Sequence, residues 1–189
     1  TATGRFGRLD GGGHSAQVMA YGRIEDVPRE VYERVVDTAV HGTANLARVV
    51  LPVFREQGAG HLAVVNSLLG NIATPLMGAY VTAKWGQLGL VRSLQLETRD
   101  ESGISISIIQ PGGVNTPIYS QAASWAGSTG RPPPPAYSPF RVARRVVSTL
   151  DRPRRVVQAG VLNHVVTAGF RLLPGVYDTL VGPLLQQLA

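Results

Sequence analysis

The sequence predicts an α/β fold, a doubly wound parallel sheet in one domain with a helical tail at the C-terminus. Three observations predict it. Helical and strand patterns alternate along the chain, which requires crossover connections and parallel strands. Apolar runs of strand length stop at turn-forming residues, as where "ISISII" (104–109) meets "PGG". Finally, 189 residues, 44% of them apolar and 16% charged, suffice for one sizeable core.

The elements follow in order. After Asp10 comes "GGGHSAQ". Three glycines make a poor central strand, so region 1–27 is expected to be disrupted. A glycine-rich phosphate loop is the weaker reading there, since no flanking strand precedes it. Residues from about Pro28 to Gln57 form one long helix, with Val35, Val36, Ala39, Val40, Thr43, Leu46, Ala47, Val50 and Leu51 at helical spacing. The glycines of "EQGAG" close it. "HLAVVNS" (61–67) is a strand, and Ala79 to Arg99 is a second long helix. "ISISII" alternates Ile with Ser, the period of a strand with two different faces. "AGSTGRPPPPAYSP" (126–139) is a loop. A helix over about 139–150 and a short strand at 154–160 follow. The apolar tail 161–189 forms one or two capping helices broken at Pro174 and Pro183.

Composition narrows the function. There is no cysteine, and His14, His41, His61 and His164 show no ligand spacing, so no metal is expected. The net charge of +6 raises nucleic acid as a partner. The densest arginine run, Arg141 to Arg155, alternates with Val142, Ala143, Val146, Val147 and Leu150 as an amphipathic helix would. A solvated helix face explains it better than a nucleic-acid patch. No apolar run reaches the ~20 residues of a membrane span. No secretory signal opens the sequence, and a cytoplasmic location is expected.

Ligands in open parallel sheets sit beyond the carboxyl ends of the strands. Ser67 follows one strand; Pro111, Gly112, Val114 and Thr116 follow the next. On the helix between them lie Tyr80 and Lys84, four apart and on one face. Lys84 is the single lysine in a chain that otherwise uses arginine. A phenol is a poor acid–base catalyst at neutral pH, and a neighbouring ammonium favours its ionised form. A compact, flexible ammonium suits that task where a planar guanidinium does not.

"VPREVYERVVDTAVHGTANLARVVLPVFREQGAGHLAVVNSLLG", "AYVTAKWGQLGLVRSLQLE" and "GISISIIQPGGVNTP" together resemble the short-chain dehydrogenase/reductase family, over about Arg5 to Leu150. The resemblance implies a partial Rossmann-like sheet and a catalytic half over 28–160. It implies an NAD or NADP cofactor and a small alcohol or ketone substrate. Ser67 would hold the substrate oxygen, Tyr80 would exchange its proton, and Lys84 would assist the phenol and bind the nicotinamide ribose. Pro111, Gly112, Val114 and Thr116 would line the nicotinamide. The Pro-rich loop stands where the family has its substrate lid. A homo-oligomer through helices 28–57 and 79–99 is implied as well.

Three departures bear on this expectation. The family's opening strand and "TGxxxGxG" turn are not in the sequence, so dinucleotide binding is expected to be weak. "GGGHSAQ" stands where members have a strand ending in "NNAG". Ala39 stands at the family's catalytic helix Asn, and neighbouring His41 diverges from it. The alternative reading is therefore a truncated, non-catalytic remnant that keeps the helix pairing.

Overall fold

The structure, a computed structural model, describes residues 2–186. A short helix α1 (Ala2–Phe6), not expected from the sequence, opens it. Four strands form one all-parallel sheet: β1 (Gly11–His14), β3 (Gly60–Val65), β4 (Ile104–Gln110) and β6 (Val156–Gln158), in that spatial order. Gly11 to His14 pair with His61 to Val64, and Val64 with Ile108. Two two-residue strands, β2 (Ala20–Tyr21) and β5 (Ala123–Ser124), pair separately.

The glycine run corrects the expectation of a disrupted segment. It forms a strand, at the edge of the described sheet. Neighbours press on its backbone from both faces. A Cβ at Gly12 would meet Val50 Cγ1 at 3.2 Å, and one at Gly11 would meet Leu150 Cδ2 at 3.1 Å. Pairing with β3 and the tight approach of two helices override the low strand propensity of glycine.

The long helix runs from α2 (Arg29–Val36) through a π-helical turn (Asp37–His41) into α3 (Gly42–Gln57), and Gly58 caps it at φ 71°. α4 (Gly78–Glu97) is the second long helix. α3 and α4 cover one sheet face, burying Val50, Phe54, Val91 and Leu94 against Leu62, Val64, Ile104, Ile106 and Ile108. α5 (Pro139–Asp151) covers the other, with Val142 and Val146 against Ala63, Ile109 and Val157. The Ile/Ser alternation thus divides between faces as its period requires. Ser105 and Ser107 fall on the α5 side, where Ser107 donates to the Arg154 carbonyl at 2.6 Å. His61 lies on the same side, with Nδ1 2.7 Å from Ser105 Oγ and Nε2 2.9 Å from Thr149 Oγ1.

The tail forms α6 (Asn163–Leu172) and α7 (Pro174–Gln186). Pro174 opens α7 as expected, but Pro183 lies inside it. Near the end of an exposed helix, the one N–H that proline lacks disturbs little of the hydrogen-bond ladder. Residues 187–189 of the predicted tail lie outside the described residues. α6 and α7 pack on α4 through Phe170, which sits edge-on to both Trp85 (6.3 Å) and Tyr177 (5.0 Å). Among the described residues, no helix is long and apolar enough to cross a membrane.

Candidate active site

The carboxyl ends of β3 and β4 open into a cavity of about 690 Å³. Its wall includes Ser67, Tyr80 and Lys84, and also Pro111, Gly112, Val114 and Thr116. The structure therefore brings every one of the sequence-predicted site residues to one cavity. Backbone bonds place the two loops. Asn66 N–H donates to the Ile109 carbonyl and Leu68 N–H to the Pro111 carbonyl, both at 2.8 Å.

Ser67 caps the 3-10 turn Leu68–Gly70, its hydroxyl oxygen accepting from Leu69 N–H at 3.1 Å. That bond uses a lone pair and leaves the hydroxyl proton on the side of Tyr80. Lys84 is almost fully buried, 2% exposed. Its amine donates to the Val65 carbonyl and to Gln87 Oε1, each at 3.2 Å. It lies 5.6 Å from the centre of the Tyr80 ring.

The electrostatics differ from the sequence expectation that Lys84 pulls the phenol down. Burial is the largest influence on Tyr80 and pushes its pKa up. The Ser67 hydroxyl works against this, and Tyr119 adds to it. Burial also lowers Lys84 to about 7, so this amine is only partly charged near neutrality. Desolvation disfavours the charged form of both groups, and it outweighs their mutual help.

Sequence reasoning missed a buried polar cluster behind Lys84. Gln87, one turn further along α4, donates to Thr43 Oγ1 (2.9 Å) and to the Ala39 carbonyl (3.2 Å). Thr43 also donates to that carbonyl at 2.6 Å, and Asn66 Nδ2 donates to Gln87 Oε1 at 2.9 Å. His14 closes the cluster, Nδ1 lying 3.3 Å from Thr43 Oγ1. Gly42 lets the ring in, since a Cβ there would sit 2.7 Å from His14 Nε2. Burial, then Lys84, lowers the His14 pKa. The signal available in the sequence was the K-x-x-Q spacing, which sets Gln87 on the Lys84 face. His41, by contrast, is exposed and pairs with Asp37 at 2.8 Å.

The Pro-rich loop is tied down at both ends. Trp125 N–H donates to the Tyr21 carbonyl at 2.7 Å, and Tyr137 exchanges backbone bonds with Gly113 and Asn115. Met19, Met77, Ile118 and Tyr119 also line the cavity. Among the described residues, Arg131 is the one charged lining residue besides Lys84 (His14 aside), and no Asp or Glu lines the cavity.

The family model for short chain dehydrogenases matches residues 1–127. The chain belongs to that family. D-beta-hydroxybutyrate dehydrogenase of Rhizobium meliloti is 34% identical over 117 residues, covering 62% of this chain and 45% of that protein. An uncharacterized oxidoreductase of Bacillus subtilis is 28% identical over 189 residues, covering 96% and 52%. The chain thus spans about half the length of the curated relatives it matches. The fold is that of solved members. A short-chain dehydrogenase from Streptomyces avermitilis superposes with a TM-score of 0.75 at 22% identity, covering 95% of this chain and 70% of the other. An alcohol dehydrogenase from Thermococcus sibiricus, complexed with 5-hydroxy-NADP, gives 0.69 at 24%, covering 85% and 65%.

Proposed function

We propose that this protein is an NAD(P)-dependent oxidoreductase acting on a secondary alcohol or ketone. The observation that carries the reading is the meeting of a serine hydroxyl, a phenol and a buried amine in one cavity at the strand ends. The relatives named as oxidoreductases support it, and they favour an enzyme over a non-catalytic remnant.

The residues present fit the nicotinamide riboside end of such a cofactor. The amine of Lys84 spends two donors on protein and, when charged, has a third for a hydroxyl. Gln17 Oε1 is a buried acceptor without a partner, in a wall it shares with Lys84, and a ribose hydroxyl would satisfy such a group. Lys84 and Tyr80 would hold the ribose, with Pro111, Gly112, Val114 and Thr116 against the ring. When bound, the nicotinamide supplies or accepts the hydride.

The chain's own part is proton handling and orientation. Ser67 donates its proton to the substrate oxygen and fixes that atom beside Tyr80. In reduction, the Tyr80 phenol gives its proton to the oxygen as negative charge develops there; in oxidation the phenolate takes it back. The raised phenol pKa suits the donating direction near neutrality, because the proton is present to be given. Lys84, when charged, stabilises the phenolate left behind.

The test is turnover of NADH or NADPH with a panel of ketones, and of NAD or NADP with secondary alcohols. Tyr80→Phe should lower turnover by roughly 10²–10⁴-fold. Undiminished turnover in that variant would refute the role given to the phenol.

A further inference from the structure

The buried cluster behind Lys84 has no part in the proton transfer above, yet it holds one end of the amine. Gln87 is fully buried, as are Thr43 and Ala39. Buried amides are held only where their hydrogen bonds are met. Those of Gln87 are met in a directional way. Thr43 spends its hydroxyl proton on the Ala39 carbonyl, so its oxygen accepts from Gln87 Nε2. With its NH₂ turned to Thr43 and the π-turn carbonyl, the amide must present Oε1 to the other side. There it meets Lys84 Nζ and Asn66 Nδ2, both donors. The reversed amide would set a donor against two donors, so one orientation is enforced.

We propose that Gln87 is a positioning residue for the site. Its amide bridges the Lys84 amine to the Ala39 carbonyl and the Thr43 hydroxyl, holds the amine in place, and favours its charged form. Ala39 has no polar side chain to offer, and Gln87 reaches its carbonyl from the neighbouring helix. The inference rests on Lys84 serving the site proposed above, but its test does not require turnover.

Few charges face the amine from the elements around it. Tyr80 lies on α4 itself, His14 ends β1, Arg131 shares the cavity wall with Lys84, and Tyr119 acts on Tyr80. β3 contributes the Val65 carbonyl, and among the described residues no carboxylate lines the cavity. An acceptor added or removed at position 87 is therefore read directly by Lys84.

Because Lys84 is the only lysine, a sample labelled with ¹³C,¹⁵N-lysine gives one side-chain signal, whose pH titration reports that amine alone. Gln87→Leu removes an acceptor from the ammonium and should move the titration down by about one pH unit. Gln87→Glu supplies a carboxylate and should move it up by at least as much. Gln95→Leu removes another buried amide of α4, bonded to the Ile106 and Arg155 carbonyls, and should leave the titration unmoved. Opposite shifts in the two Gln87 variants support the proposal. Should Gln87→Leu not fold, Gln87→Glu against Gln95→Leu decides. An unmoved titration in Gln87→Glu, a shift of one sign in both variants, or an equal shift in Gln95→Leu would overturn it. Lack of turnover with every alcohol and ketone, alongside opposite shifts, would count against the proposed reaction and leave this inference standing.

Discussion

Burying Lys84 should make the protein more stable in mild alkali than at neutrality, against the usual trend. The amine titrates at about 7 in the folded chain, lowered from 10.5 by desolvation. Between those values the unfolded chain holds a proton that the folded chain has released. Stability therefore rises with pH across that window, by about 1.4 kcal/mol per pH unit, and is lost again as pH falls towards 7. From pH 7.5 to 9.5 the gain is about 2–3 kcal/mol. Other shifted groups act elsewhere. His14 and His61 are lowered from 6.5 and act below it. Tyr21, Tyr80, Tyr119 and Tyr177 are raised from 10.0 and act above it. Urea unfolding followed by fluorescence of Trp85 and Trp125 measures the effect, and the midpoint should rise by about 1 M between the two pH values. Lys84→Met keeps most of the stem and drops the amine, so its midpoint should stay level and exceed that of the parent at pH 7.5. A level parent curve, or an equal slope in Lys84→Met, would refute the reasoning.

His61 should govern part of the acid limb. Its folded pKa is lowered by burial, so its contribution is complete above about 6.5 and fades as pH falls. In His61→Phe the acid-side loss of midpoint should shrink, while stability at pH 7.5 drops by about 1–3 kcal/mol as Ser105 and Thr149 lose a partner. Gly42→Ala should cost about 1–3 kcal/mol in thermal unfolding, because its methyl group would meet the His14 ring. A Tm equal to the parent's would show that the ring has room to move.

The parts of the fold legible in the sequence were those written in a period. The Ile/Ser alternation at 104–109 gave its two faces because side chains alternate on any strand. Tyr80 and Lys84 were legible as partners because four residues make about one helical turn. The glycine strand was not legible, because intrinsic propensity argued against it. What decides there is the pressure of Val50 and Leu150 on a backbone without side chains. The π-helical turn at Asp37–His41 was hidden for a related reason. Its extra residue sets the buried positions Val35, Ala39, Thr43 and Ala47 four apart, a spacing an α-helix also accommodates. Nothing local in the sequence marks Gln87. Its meaning comes from Thr43 and Asn66, which are distant in sequence and adjacent only after folding. Pro183 was misread because a proline near a frayed helix end costs less than one at the centre.

The stitching at Trp125 and Tyr137 limits how the Pro-rich loop can move. A strap pinned at both ends cannot swing aside on one hinge like a door. It can only bow outward between those fastenings, and Arg131 and Pro133, which line the cavity, would move with the arch.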